Sequence, residues 1–246
     1  MEKYYLAHTN VQLLNQLRNA GYSHADLFYI FEIYKFVIEL CYGFQSSGKL
    51  FIVHLIRTAS ILVSLQTNIS VIAAGLLHSV YEFGDFGDGS RGLRDWKRAR
   101  VRQRCGEITE LIVMKYSTLQ WTEPVVCNNL VALESNEQDA ILIRLVNQLE
   151  LCLDLEVLYQ SNYVDIIQNI KEQEKLLIEM AIALGYPHLA AQLAETFQEI
   201  LSINDFLAYP RDSAYFSQVS GRLSVKQLLM IRLKSQFKQV KISFVS

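Results

Sequence analysis

Proline is scarce: the 246 residues contain Pro124, Pro187 and Pro210 and no others. With so few positions barred from helix interiors, long helices can run without interruption. Cysteine is as thinly spread. Cys41, Cys105, Cys127 and Cys152 form no CxxC pair, which argues against a zinc knuckle or a disulfide scaffold and favours buried, reduced thiols in a cytoplasmic protein. An excess of positive charge is also missing. A formal net charge of -2 gives no electrostatic basis for binding nucleic acid, which needs clustered Lys and Arg. Met1-Glu2-Lys3-Tyr4-Tyr5 leads into no apolar run, so no secretory leader is expected. Residues 27–44 are rich in Phe, Tyr, Ile and Leu, but Glu32, Lys35 and Glu39 interrupt them. A membrane span needs about 20 mostly uncharged residues, so this stretch reads as a buried helix and no membrane partner is expected. There is no P-loop, no GxGxxG after a strand and no GxSxG elbow, which leaves nucleotide-fold and serine-hydrolase classes without support.

What the chain does have is helical periodicity. Apolar residues recur at i, i+3, i+4 and i+7 through most of its length, while strand-like alternation is scarce, and this predicts an all-α protein. With 51% hydrophobic and 20% charged residues, the chain can bury a sizeable core. No internal repeat or low-complexity linker divides it. Helices are expected over Asn10 to Asn19, from a Ser23 or Asp26 cap to about Tyr42, and from about Leu50 to Leu65. Another should run over Val71 to Tyr81, where Ala73, Ala74 and Gly75 permit close packing. Further helices are expected over Ile108 to Tyr116, Asn136 to Tyr159, Tyr163 to Leu184, Pro187 to Leu201 and Ser224 to Phe237, the last after an irregular Asp205 to Gly221 loop. The glycine-rich stretch Phe83 to Ser90 reads as a flexible loop. Seven Lys or Arg fall within residues 91–104, either as a solvated helix face or as an anion-attracting rim beside that loop.

Two stretches stand out chemically: Ser47-Gly48-Lys49-Leu50-Phe51-Ile52-Val53-His54, and Leu76-Leu77-His78-Ser79-Val80-Tyr81-Glu82. A single His among Leu and Val is more often a hydrogen-bonded core residue than a ligand. As an ordered pair preceding the Arg144 to Leu149 helix, however, they resemble the HD superfamily of metal-dependent phosphohydrolases, a helical-bundle fold. Ser47-Gly48 and Phe51-Ile52 before His54, and Ala73 to His78, are similar to the hydrolase domain of stringent-response alarmone hydrolases. His78-Ser79-Val80-Tyr81 resembles a little-characterised HD-like group. In that superfamily the first His, a His-Asp pair and a later Asp bind one or two divalent metals.

This sequence departs from the pattern at decisive places. Ser79 stands where the pair needs Asp, Asn147 stands where the later Asp would be, and Gln45 occupies the place of a substrate-stacking Arg. A hydrolytic metal lowers the pKa of bound water and neutralises phosphoryl charge, and carboxylates hold such a hard ion. The resemblance therefore implies an HD-like bundle, about residues 45–155, within a single domain spanning 1–246, with N-terminal helices over 10–42 and a C-terminal helical extension over 163–246. It also implies a degenerate metal site.

The expected site has His54, His78 and Glu82 as catalytic residues and Arg57, Ser79, Tyr81 and Asn147 as substrate-binding residues, acting on a small polar or phosphorylated metabolite without a tightly held metal. One alternative is an active phosphohydrolase or HD-like di-iron oxygenase that recruits Asp85 and Asp88 beside His54 and His78 to hold Mn, Fe or Zn. A second alternative is a non-enzymatic helical interaction module. Whether the chain is an enzyme, and whether it forms a homo-oligomer, stays open at this level.

Overall fold

The computed structural model describes residues 6–45, 47–120, 129–153, 157–158 and 163–204. Within these the protein is all-α, its one extended pairing being an isolated bridge between Phe44 and Leu50. Cys127, the Asp205 to Gly221 loop and the Ser224 to Phe237 helix lie outside the described residues.

Local chemistry sets the helix boundaries. Helix α1 (Asn10–Asn19) opens on Thr9, whose Oγ1 accepts the Gln12 N–H at 3.2 Å while the Gln12 side chain accepts the Thr9 N–H. Helix α2 (His24–Leu40) uses both expected capping residues at once: Ser23 Oγ accepts from the Asp26 N–H, and Asp26 Oδ2 accepts from the Ser23 N–H. Such reciprocal boxes satisfy two orphan donors of the first turn. The chain then reverses through Phe44 and Leu50 and enters α3 (Phe51–Ser64).

Helix α4 (Ile69–Leu77) is buried from Val71 to Leu77, and it is shorter than the periodicity predicts. It stops before His78, Ser79 leaves helical geometry (φ -98°, ψ 5°), and a single turn, α5 (Val80–Phe83), follows. The His78 ring accounts for the break. Its Nδ1–H donates to the Gly75 carbonyl at 2.7 Å, and a side-chain bond at that carbonyl competes with the helical ladder.

The basic run forms its own helix, α6 (Asp95–Cys105), separated from α7 (Glu107–Thr118) by Gly106 at φ +80°. Helix α8 (Ser135–Cys152) ends where Leu153 turns extended, short of the expected Tyr159. Helices α9 (Tyr163–Ala183) and α10 (Pro187–Asn204) form a hairpin, with α10 packed on α8. Leu177 and Met180 of α9 are buried, and Leu176 and Leu184 pack against the core.

The centre of the bundle is α3, packed on both α4 and α8, with α2 and α7 flanking α4 and α7 also against α8. Gly75 sets the α3–α4 spacing. A Cβ there would lie 2.4 Å from Leu62 Cδ1 and 3.7 Å from the Ala59 Cα.

The glycine-rich loop is tied to the body of the protein, where its composition predicts a flexible one. Its Asp85 N–H donates to the Leu40 carbonyl and the Gly92 N–H to the Tyr81 carbonyl, each at 2.8 Å. Phe86 is buried against the Tyr81 and Trp96 rings. The fully buried Lys97 donates from Nζ to the Ser90 carbonyl at 2.7 Å and lies 3.8 Å from Asp88. An aromatic anchor and an enclosed ammonium lace the loop to the body, which overrides the conformational freedom of its glycines.

Gly75→Val is expected to destabilise the protein by about 1–3 kcal/mol, the usual cost of overpacking a filled core. At about 2–4 °C per kcal/mol for a chain of this size, thermal unfolding would register the loss.

Candidate functional site

Where α3, α4 and α8 meet, two imidazoles face one another. His54 sits on the second turn of α3 and His78 at the C-terminal end of α4, and they are 3% and 1% exposed. Their Nε2 atoms are 3.3 Å apart. The outer nitrogens are both committed: His54 Nδ1–H donates to Glu150, and His78 Nδ1–H donates to the Gly75 carbonyl. In neutral His78 this fixes the tautomer, leaving the Nε2 lone pair aimed at His54.

Glu150 on α8 is the residue that the sequence reading missed. Its side chain is fully buried and contacts three basic groups: His54 Nδ1, Lys49 Nζ at 2.6 Å and Arg57 Nε at 2.9 Å. An acid between Leu149 and Leu151, at the apolar end of the α8 sequence, was the available signal, because a buried carboxylate requires partners. Burial pushes its pKa up, but the charges of His54, Lys49 and Arg57 outweigh that and hold the carboxyl down at about 2. Arg57 therefore lies at the site, as expected, but as a partner of Glu150.

Asn147, one turn earlier on α8, donates from Nδ2 to the Tyr116 hydroxyl at 3.2 Å, and the Tyr116 ring lies edge-on to His78 with centroids 5.1 Å apart. The Asn147 Oδ1 is buried and has no hydrogen-bond partner among the described residues. Arg144 stacks its guanidinium 4.0 Å from the Tyr116 ring centroid and donates to the Tyr116 carbonyl at 2.5 Å. Burial foremost pushes the Tyr116 hydroxyl up to about 12, with Arg144 opposing and Glu82 adding to the shift, so it stays protonated at neutral pH. His54, His78 and Asn147 are thus brought together, with Tyr116 inserted as the link.

Other expected site residues are placed elsewhere. The Tyr81 hydroxyl donates to Glu110 at 2.8 Å, inside a network that Arg98 and Arg102 complete. Those two arginines, with Arg100 on the Phe86 carbonyl and Arg104 at 3.9 Å from Glu39, direct much of the basic run to internal partners. Glu82 is exposed on α5, where its charge reaches Tyr116. Ser79 is buried, and its carbonyl accepts the Phe83 N–H at 2.9 Å.

Asp85 accepts from Tyr42 Oη at 3.1 Å and from the Gly87 N–H at 2.8 Å, and Asp88 accepts from the Ser90 N–H and hydroxyl. Neither joins the histidines: among the described residues no group of three or more His, Cys, Asp or Glu is positioned to hold a metal ion. The Asp85 and Asp88 ligand set is therefore not assembled. Nor is any described helix long and apolar enough to cross a membrane.

Fold and site together define an all-α protein with a buried, carboxylate-backed histidine pair. Residues 42–120 are similar to a family described as a domain of unknown function (DUF6817). That match covers about a third of the chain and includes both histidines and Tyr116, but stops before the helix that carries Asn147 and Glu150. No curated protein matches the chain.

Two outcomes test this geometry. Burial first, and then the charge of His54, lower the His78 pKa to about 3. The unfolded chain therefore binds a proton near pH 6.5 that the folded chain refuses, and this contribution is complete above that pH and lost as pH falls toward 3. Glu150 has the same sign in a lower window, its contribution present above about 4.5 and lost as pH falls toward 2. In urea unfolding of chelator-treated protein the loss of stability should steepen below pH 6.5 and reach about 1.4 kcal/mol per pH unit below about pH 5.5, and His78→Gln should flatten that slope. Glu150→Ala should cost on the order of 3–5 kcal/mol by stranding the Lys49 and Arg57 charges, measurable as a drop in the urea midpoint.

Proposed function

We propose that this chain is a repurposed bundle of the HD type in which the His54–His78 pair binds, or performs acid–base chemistry on, a small anionic metabolite, a phosphorylated one foremost, without a tightly held metal. The observation that carries this reading is the charge around the pair. Lys49 and Arg57 pair with Glu150, the buried carboxylate behind His54, and Arg144 stacks on Tyr116 beside His78. A site built to retain a divalent cation surrounds it with anionic oxygens. This one sets three basic side chains against a single carboxylate near the two imidazoles, an excess of positive charge that favours an anion. Tyr116 and Asn147 supply a hydroxyl and an unspent amide oxygen beside His78, suited to orienting a polar group. The resemblance of the His54 and His78 segments to HD phosphohydrolases supports the phosphorylated class. Glu82, on the surface next to Tyr116, would act at the rim in substrate entry or proton exchange with solvent.

One observation favours a second reading. Two imidazole nitrogens bound to one tetrahedral ion at about 2.0–2.1 Å lie about 3.3 Å apart, the separation found here. Their outer N–H groups rest on a carboxylate and a backbone carbonyl, as metal-bound histidines usually do. The pair could hold Mn, Fe or Zn as two of its ligands, with water or substrate completing the set.

Metal analysis of protein purified without chelator, together with thermal-shift titration against inorganic phosphate, pyrophosphate and nucleoside mono- and diphosphates, separates the two. The proposal expects far less than one metal ion per chain after desalting. It also expects saturable stabilisation by at least one phosphorylated compound, of about 2.7 kcal/mol at one hundred times its dissociation constant, and loss of that effect in a folded His78→Ala variant. One retained metal ion per chain, with phosphate release that chelation abolishes, would replace it with the second reading.

A further inference from the structure

Helix α2 turns an apolar face outward. Its core side carries Ile30, Ile33, Phe36, Val37 and Leu40, all of them buried, and a helix docked in this way normally presents polar residues to solvent. Here His24, Phe28, Phe31, Lys35 and Ile38 occupy the opposite side, at alternating steps of four and three residues. That is the spacing of a coiled-coil seam. Phe28, Phe31 and Ile38 are 67%, 37% and 43% exposed. Lys35 lies in the same seam, its Nζ 3.0 Å from Glu32 and 5.6 Å from the centroid of the Phe31 ring.

We propose that this face is the interface of a two-fold symmetric homodimer, in which α2 packs antiparallel against α2 of a second copy of the chain. The seam is self-complementary in that orientation. With the axis at the level of Ile33, Phe28 meets Ile38 of the second copy and Phe31 meets Lys35, so one arrangement covers every large side chain of the seam. Each contact then occurs twice, as an isologous interface requires. The stem of Lys35 lies on the opposing Phe31 ring while its ammonium sits between Glu32 of its own chain and Glu32 of the other, which satisfies the charge at the centre of the seam. A single Lys at a seam position lowers stability but fixes register and oligomeric state. With an aromatic side chain burying about 150–250 Å², the three exposed apolar residues and the Lys35 stem leave about 300–400 Å² to cover on each copy. Ala25, Glu32 and Glu39 flank the seam and bring the total for two copies toward about 1,000–1,200 Å², the lower bound for a specific interface. That area suits a reversible dimer of micromolar affinity.

Sedimentation velocity of the full chain across the micromolar range tests this. A reversible monomer–dimer equilibrium is expected. Phe28→Glu and, separately, Ile38→Lys should each weaken it by at least about tenfold while leaving the urea midpoint of the dilute monomer unchanged, because both side chains face solvent there. Mixing the two variants reads the orientation. An antiparallel pair brings the introduced acid against the introduced base at one end and keeps the native Phe28–Ile38 contact at the other, so the mixture should dimerise more tightly than either variant alone. A parallel pair gains nothing on mixing. A chain that stays monomeric at every concentration, a dimer indifferent to both substitutions, or a mixture no tighter than its components would overturn the proposal. A monomer whose urea midpoint falls with Phe28→Glu would also overturn it, by assigning the seam to another part of the same chain. The histidine site takes no part in this interface, so His78→Ala should leave the dimer intact.

Discussion

Glu150 is fully enclosed by protein, where an isolated carboxylate would cost several kcal/mol in lost hydration. It is tolerable there because two elements bring three partners: Lys49 from the turn before α3, and His54 and Arg57 from α3 itself. This requirement ties the turn, α3 and α8 together more specifically than apolar packing could, since leucines can slide past one another while a buried ion cluster has one registry that satisfies it. The imidazole of His54 is oriented as a consequence, and His78 can then be positioned against it.

The architecture was legible in the sequence because it follows from periodicity and capping. Thr9, Ser23 and Asp26 announce helix starts through hydrogen bonds that span three residues, and the small residues of α4 announce close packing. The two histidines were legible through their lead-in segments. Glu150, Lys49 and Tyr116 were not, because their roles arise from contacts across 101, 96 and 31 residues of separation, which no local pattern encodes. The glycine-rich loop misled for a related reason. Its composition describes what the isolated segment could do, whereas Phe86 and the distant Lys97 decide what it does in the fold. Tyr81 was read as part of the His78 motif, yet the break at Ser79 turns the next residues onto a new helical path and delivers its hydroxyl to Glu110.

The electrostatic inventory is where this site differs most from the metal hydrolases that its histidine segments resemble. Where the metal hydrolases that the histidine segments resemble carry two acids this chain has Ser79 and Asn147, and its histidine pair has Lys49, Arg57 and Arg144 nearby. A fold can keep the scaffold of a catalytic centre while its charge selects a different class of guest. Residues 42–120, the part similar to a domain of unknown function, hold the histidines but not Glu150. If relatives are compared, the helix beyond that match is the place to look for the acid that pairs with the first histidine.

The short distance between α3 and α4 at Gly75 has a consequence beyond packing. The same residue that lets the helices approach also offers the carbonyl on which His78 rests its Nδ1–H. The inter-helix spacing and the location of a single proton on an imidazole ring are therefore one variable. A mutation felt only as crowding against Leu62 would rotate or displace that carbonyl, and the ring could then carry its proton on the other nitrogen. Selection on a core side chain would in that case be read out as a change in which lone pair the protein presents, so the mechanical and chemical properties of this bundle cannot drift independently.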